Sequence, residues 1–206
     1  MIVIIDYGMG NLRNVQKAGE FLGKNLRVTD SPAIIKKAKK IIFPGVGNFK
    51  QAVKELKQRK IFDILIDRIN EGVPFLGICL GMQLLLELSE EAPGVRGLGV
   101  IKGKVKKFDE HKIIVPHMGW NQAQSAKRIA HSGKNLFRGI PDKSYFYFAH
   151  SYYCDITEKG AALATTEYGI NFSSACCKKN IWGVQFHPEK SQKLGLKLFD
   201  NFLTLC

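Results

Sequence analysis

Residues 75–85 read Phe75-Leu76-Gly77-Ile78-Cys79-Leu80-Gly81-Met82-Gln83-Leu84-Leu85. An apolar strand ends at Cys79 and an apolar-periodic helix begins after it, with glycine two residues before and two after the thiol. This is the thiol counterpart of the G-x-S-x-G nucleophile elbow. Such a turn strains the backbone of its central residue, and side chains at the flanking positions would strike neighbouring backbone, so the crowding requires glycine. Placed at a helix start, Cys79 feels the positive end of the helix dipole, which favours thiolate over thiol. On its own the pattern also fits a buried structural cysteine in a glycine-rich turn. The partners of the thiol decide between the two.

Upstream of the elbow, short β-branched runs alternate with amphipathic stretches of helix length: Ile2-Ile5, Leu12 to Leu22, Leu26-Thr29, Ile41-Phe43, Ile61 to Ile69 and Val73-Ile78. That is a β-α-β rhythm. Apolar runs without alternation are strands buried on both faces, so the class is α/β, with a mostly parallel sheet and flanking helices. From Gly99 onward, strands follow one another without long helices between them: Val100 to Phe108, Ile113-Val115, Tyr145-Ala149, Ala161 to Thr166 and Ile181-Gln185. These predict added antiparallel or mixed strands. Leu194, Leu198, Phe202 and Leu205 have helical spacing and predict a last helix packed on the sheet. No linker or repeat divides the chain, and residues 1–206 are expected to form a single domain.

Composition narrows the class. The chain has 206 residues, 45% of them hydrophobic and 24% charged, with no biased segment. Its N-terminus lacks a signal-peptide pattern, and no apolar run approaches the ~18 residues of a membrane span. Five cysteines without a C-x-x-C pair fit neither a disulfide framework nor a zinc site, which points to a reducing cytoplasm. The formal charge of +13 raises a nucleic-acid partner. Yet the lysines are dispersed, and the densest groups, Lys36 to Lys40 and Lys102 to Lys107, carry no interleaved aromatics and match no nucleic-acid-binding signature. An anion-attracting surface is the expectation, with no nucleic acid and no membrane as partners.

A thiol nucleophile needs a proton acceptor held by a third group. In Ile181-Trp182-Gly183-Val184-Gln185-Phe186-His187-Pro188-Glu189, His187 follows an apolar strand and Pro188 disfavours helical geometry for it. In extended chain, residues two apart point the same way, so Glu189 can orient the His187 ring. His150, in Phe148-Ala149-His150-Ser151-Tyr152-Tyr153, also ends a strand and is the rival base. It lacks a nearby acid and reads as a structural or substrate-side residue. His117 sits in a loop-like segment beside Trp120, suggesting a contact surface, and no role is assigned to His111 or His131. Ile41-Ile42-Phe43-Pro44-Gly45-Val46-Gly47 is a strand followed by a glycine loop whose amides can face a cavity. This loop and the amide of Leu80 are candidate oxyanion donors. Asp6-Tyr7-Gly8-Met9-Gly10-Asn11 lacks both phosphate-loop patterns.

Together, Gly-Ile-Cys-Leu-Gly-Met-Gln around Cys79 and Gln-Phe-His-Pro-Glu-Lys-Ser around His187 resemble class I glutamine amidotransferases. Pro44-Gly-Val-Gly47, Pro116-His-Met-Gly-Trp-Asn121 and His150-Ser-Tyr-Tyr153 narrow the resemblance to glutaminase subunits of imidazole glycerol phosphate synthases, in order and over nearly the whole chain. The resemblance implies a flavodoxin-like sheet and a Cys79-His187-Glu189 triad that hydrolyses L-glutamine to glutamate and ammonia. It implies that Val46 or Gly47 presents the oxyanion amide, and that Gln83, Ser151 and Tyr152 hold the substrate. It further implies a heterodimer with a (β/α)8-barrel cyclase, docked through Asn11, Trp120 and Lys190, which uses the ammonia to make imidazole glycerol phosphate and an aminoimidazole carboxamide ribotide. No metal and no cofactor are implied.

Some positions depart from that pattern. Asn14 replaces a small hydroxyl residue, Ile114 stands where lysine is common, and Ser191 to Gly195 with Phe172 to Ala175 resemble paralogues that supply ammonia for amidinating a bacterial surface sugar. A catalytically silent scaffold protein is the rival of another class, against which the intact triad argues. An esterase or peptidase using the same elbow is disfavoured, because here the acid follows the base.

Overall fold

The computed structural model describes residues 1–125 and 136–206; His131, one of the histidines without an assigned role, lies outside them. The first half follows the expected rhythm: β1 (Ile2–Ile5), α1 (Leu12–Phe21), β2 (Leu26–Thr29), α2 (Pro32–Ile35), β3 (Lys40–Gly45), α3 (Phe49–Gln58), α4 (Phe62–Asn70) and β4 (Phe75–Cys79). Helix α3 is not among the expected elements. Its buried Phe49, Ala52, Val53 and Leu56 fall on one helical face, and Asn48 caps it by accepting the Gln51 amide at 3.1 Å.

Beyond β4 come α5 (Leu80–Gln83), β5 (Leu88–Ser89), β6 (Gly103–Lys107), β7 (His117–Ser125), β8 (Ser144–His150), β9 (Tyr152–Ile156), β10 (Ala162–Glu167), β11 (Asn171–Lys178), β12 (Ile181–Val184) and α6 (Gln192–Leu205). The main path of the sheet runs β2-β1-β3-β4-β12-β11-β10-β7-β8. From β2 to β12 all pairs are parallel, and from β12 to β8 all are antiparallel. The mixed α/β sheet foreseen from the sequence is therefore present.

Alternation along the parallel strands explains their unbroken apolar runs. Val3, Ile5, Ile41, Phe43 and Phe75 face one core, against Phe49 and Leu56 of α3 and Leu65 of α4. Ile4, Ile42, Leu76 and Ile78 face the other, against Val15 of α1 and Leu198 and Phe202 of α6. In α6 the buried stripe is Leu198, Phe199, Phe202 and Leu203, while Leu194 and Leu205 are only partly covered.

Three local expectations need correction. Residues 113–115 are not a strand; the ladder of β7 begins after Pro116, which has no N–H to give it. His117 therefore opens a strand and is buried rather than lying in a contact loop. The helix after Cys79 is a single turn. The carbonyls of Leu84, Leu85 and Leu86 accept the amides of Leu98, Val100 with Ile101, and Gly99, so the crossing segment takes the bonds a longer helix would have used.

Candidate active site

Cys79 ends β4 with φ +54 and ψ −111, a conformation an L-residue holds only when its surroundings enforce it. The enforcement comes from close packing of the turn on the sheet. A Cβ on Gly81 would overlap the carbonyl of Phe43 in β3, and one on Gly77 would meet the carbonyl of Gly81. Parallel pairing sets Gly45 beside Cys79 and Val184 beside Ile78, so the loop after β3 and the segment after β12 emerge on either side of the thiol. With only one helical turn behind it, the dipole expected at Cys79 is small. Charge stabilisation there falls to side chains instead.

His187 is one of those. It is itself extended, as Pro188 predicts, but residues 188–190 form a 3-10 turn and not extended chain, since proline readily opens a helical turn. The pair forms all the same, with His187 Nδ1 2.8 Å from Glu189 Oε1 and both side chains buried. Burial disfavours the imidazolium, but hydrogen bonds to Cys79 and Glu189, with their negative charges, outweigh it and raise the ring to about 10. The turn is locked by Ser191, whose hydroxyl donates to the His187 carbonyl at 2.6 Å and accepts the Tyr147 amide at 2.9 Å.

In front of the thiol lies a cavity of about 430 Å³. Val46, Gly47 and Leu80, the candidate oxyanion residues, line it with Cys79, and so do Gln83, Ser151 and Tyr152, the candidate substrate residues. The Gln83 side chain is partly committed elsewhere, its Nε2 donating to the Tyr152 carbonyl at 3.0 Å and to Gln185 Oε1 at 3.2 Å.

His150, the rival base, also lines the cavity but lacks a carboxylate. Its Nδ1 lies 2.8 Å from the Tyr152 carbonyl and its Nε2 2.9 Å from His117 Nδ1, while His117 Nε2 lies 3.2 Å from Asn121 Nδ2. A carbonyl only accepts, so each ring carries its proton on Nδ1 and accepts at Nε2, and the row is satisfied only when both rings are neutral. Burial accordingly lowers His117 to about 4 and, despite the bond to Tyr152, His150 to about 3.

The candidate docking residues separate into two groups. Trp120 and Lys190 both pack on Tyr147, with Trp120 6.1 Å between ring centroids and Lys190 Nζ 5.7 Å above the ring. Asn11 is exposed at the start of α1, where its side chain accepts the Asn14 amide. Tyr147 has no local signal in the sequence, although β8 alternates Phe146 and Phe148 inward with Tyr145 and Tyr147 outward. Cys154 and Cys176 are buried, and burial pushes both thiols up, away from reactivity.

The family model for "Glutamine amidotransferase class-I" matches residues 3–206. The chain belongs to the class-I glutamine amidotransferases. Among relatives of this amidotransferase, "Imidazole glycerol phosphate synthase subunit HisH 1" of Methanococcus maripaludis is 49% identical, covering 100% of both chains. The subunit HisH of Pyrococcus furiosus is 50% identical over 99% of this chain and 98% of its own. Among solved structures, one titled "Crystal structure of glutamine amidotransferase" matches with a TM-score of 0.77 at 19% identity, covering 100% of this chain and 98% of that one. The structure of PurLQS from Thermotoga maritima matches with a TM-score of 0.72 at 18% identity, covering 98% of this chain and 96% of that one. At such identities these structures bear on the fold.

Proposed function

We propose that this amidotransferase is the glutaminase subunit of an imidazole glycerol phosphate synthase. It acts as one domain over residues 1–206, with Cys79 as nucleophile, His187 as proton carrier and Glu189 as its orienter. The observation that carries the reading is Cys79 held at positive φ on the cavity wall, with a buried His187–Glu189 pair hydrogen-bonded to its thiol from outside the cavity lining.

The chemistry follows from those positions. The Cys79 thiolate adds to the side-chain carbonyl carbon of glutamine, and the oxyanion that forms is held by the amide of Val46 or Gly47 and by that of Leu80, which has no partner in a first helical turn. The C–N bond breaks as the His187 imidazolium gives its proton to the departing nitrogen, leaving ammonia and a glutamyl thioester. Water then loses a proton to His187 and attacks the thioester, and glutamate leaves as the thiolate re-forms. Gln83, Ser151 and Tyr152 hold the substrate.

Ammonia needs an acceptor, and the outer face of β7–β8 supports a partner at the cavity mouth. Met118, Trp120 and Tyr145 are 64%, 47% and 54% exposed there, an apolar surface rimmed by Lys190. A (β/α)8-barrel cyclase docked on that face, with Asn11 at its edge, completes a heterodimer. Histidine synthesis is preferred to surface-sugar amidination because the relatives of 45–50% identity carry the HisH name. The test is glutamate release by this protein with the cyclase present: release that persists in Cys79→Ala, or none in the parent, overturns the glutaminase reading. Growth without histidine after deletion of the gene, in a cell holding no second copy, overturns the pathway.

A further inference from the structure

Gln185 carries an inference that rests on Cys79 being the nucleophile and goes beyond the triad. It continues β12, with its backbone N–H donating to the Ser174 carbonyl at 2.9 Å, and its side chain is fully buried. Its Nε2 lies 3.7 Å from Cys79 Sγ, hydrogen-bond range for a sulfur acceptor. Its Oε1 lies 3.2 Å from Gln83 Nε2 and 3.9 Å from Cys154 Sγ.

The orientation of an amide is fixed only by what surrounds it. Here the surroundings fix it. The Tyr152 carbonyl can only accept, so the Gln83 end facing it is the NH₂. That NH₂ gives its second hydrogen to Gln185, whose facing end must therefore be the oxygen. Gln185 is left with its NH₂ toward the sulfur, and reversing it would set two donors against each other at Gln83. A buried amide is costly unless bonded, and an apolar side chain would fill the same site without that cost. The oxygen is answered by Gln83, and the bond to Cys79 is what the nitrogen adds.

We infer that Gln185 is a hydrogen-bond donor to the Cys79 sulfur that holds the thiolate in place, stabilising it both as it attacks glutamine and as it leaves the thioester. Gln83 is then a positioning residue as well as part of the cavity wall, because it aims Gln185. The other titratable groups around the sulfur are His187 with Glu189 behind it, the buried Tyr7 hydroxyl from the end of β1, the Cys154 thiol of β9 and, on the cavity wall, His150 and Glu91. None of these replaces a neutral N–H that stays protonated at every working pH.

The test compares the full chain with Gln185→Met, which removes the donor, and Gln185→Glu, which keeps an acceptor for Gln83 but turns oxygen toward the sulfur. Alkylation of Cys79 by iodoacetamide is followed by peptide mass across pH 5–10. Both variants are expected to reach half-maximal rate at a pH higher by about one unit, with Glu displaced further than Met. Glutamate release with the cyclase is expected to fall about 10- to 100-fold in kcat, KM staying within about threefold. A merely structural role predicts a lower Tm with an unchanged pH profile in both variants; that result overturns the inference.

If either variant does not fold, the other decides. A measurement on the parent needs neither: the Gln185 side-chain amide resonances are expected to move when Cys79 is alkylated, and resonances that stay in place overturn the bond. A parent that releases no glutamate would sink the glutaminase reading, while the alkylation profile would still report on Gln185 and Cys79.

Discussion

A Cβ on Gly77 would stand 2.6 Å from the carbonyl oxygen of Gly81, so the two glycines flanking Cys79 are pressed directly on one another. The elbow is held by packing of backbone against backbone, which cannot yield as a flexible side chain can. Gly77→Ala is expected to cost about 1–3 kcal/mol, read as a lower urea midpoint at unchanged m. Because relief of the overlap must move the Cys79 backbone, glutamate release is expected to fall with it. A variant with parental stability and activity would show that the turn does not depend on this contact.

In the proposed triad Glu189 acts through His187, 2.8 Å away. Glu189→Gln keeps shape but removes the charge that holds the ring, and kcat is expected to fall by about 10² to 10⁴ with little change in KM. The pH dependence has a definite sign. His187 is raised from 6.5 to about 10, so its contribution to stability is complete below pH 6.5 and is lost as pH rises through 10. In Glu189→Gln the loss still starts near 6.5 but is expected to be smaller and complete at lower pH, which chemical denaturation at pH 7, 8.5 and 10 would detect.

Legibility in the sequence tracks burial. β1, β3 and β4 are covered on both faces and announce themselves as apolar runs. β11 does not, because beyond Phe172 it fills its buried positions with Ser174, Ala175 and Cys176, and its place inside the sheet comes from pairing with β10, β12 and β9. β7 reads as a loop because its exposed positions carry Met118 and Trp120, inverting the usual alternation. In the site, Cys79, His187 and Glu189 stand out through local motifs. Gln185, Ser191 and the joining of His117 to His150 do not, since each acts through a bond between residues 106, 44 and 33 positions apart. Ordinary polar residues in a strand or turn give no local sign of such bonds.

The neutral histidine row makes the fold sensitive to acid. The rings of an unfolded chain take protons near 6.5, whereas the folded His117 and His150 do so only near 4 and 3. The unfolded state therefore binds more protons in that window, and stability present above pH 6.5 is lost as pH falls, by about 1.4 kcal/mol per pH unit for each ring. His117→Phe keeps the stacking on Phe148 and Tyr168, at 4.7 and 4.0 Å between centroids, while removing one titrating ring. Its acid-side slope between pH 6 and 5 is expected to be about half that of the parent. Equal slopes would mean that the loss arises elsewhere.

Ser191 separates positioning from chemistry. Its hydroxyl touches neither the cavity nor the thiol, yet it joins the Tyr147 amide to the His187 carbonyl and so fixes the turn that carries His187. Ser191→Ala leaves the Tyr147 N–H without that partner in a part-buried place, at a cost of about 1 kcal/mol. With the turn loosened, His187 is in place for a smaller fraction of the time, so kcat is expected to fall about tenfold while KM, set by the cavity walls, stays near the parent. Because Tyr147 also carries Trp120 and Lys190, affinity for the cyclase is expected to weaken in the same variant. Ser191→Thr keeps the hydroxyl and is expected to recover most of both losses; a threonine variant as impaired as alanine would mean that volume at this site, and not the bond, sets the geometry of His187.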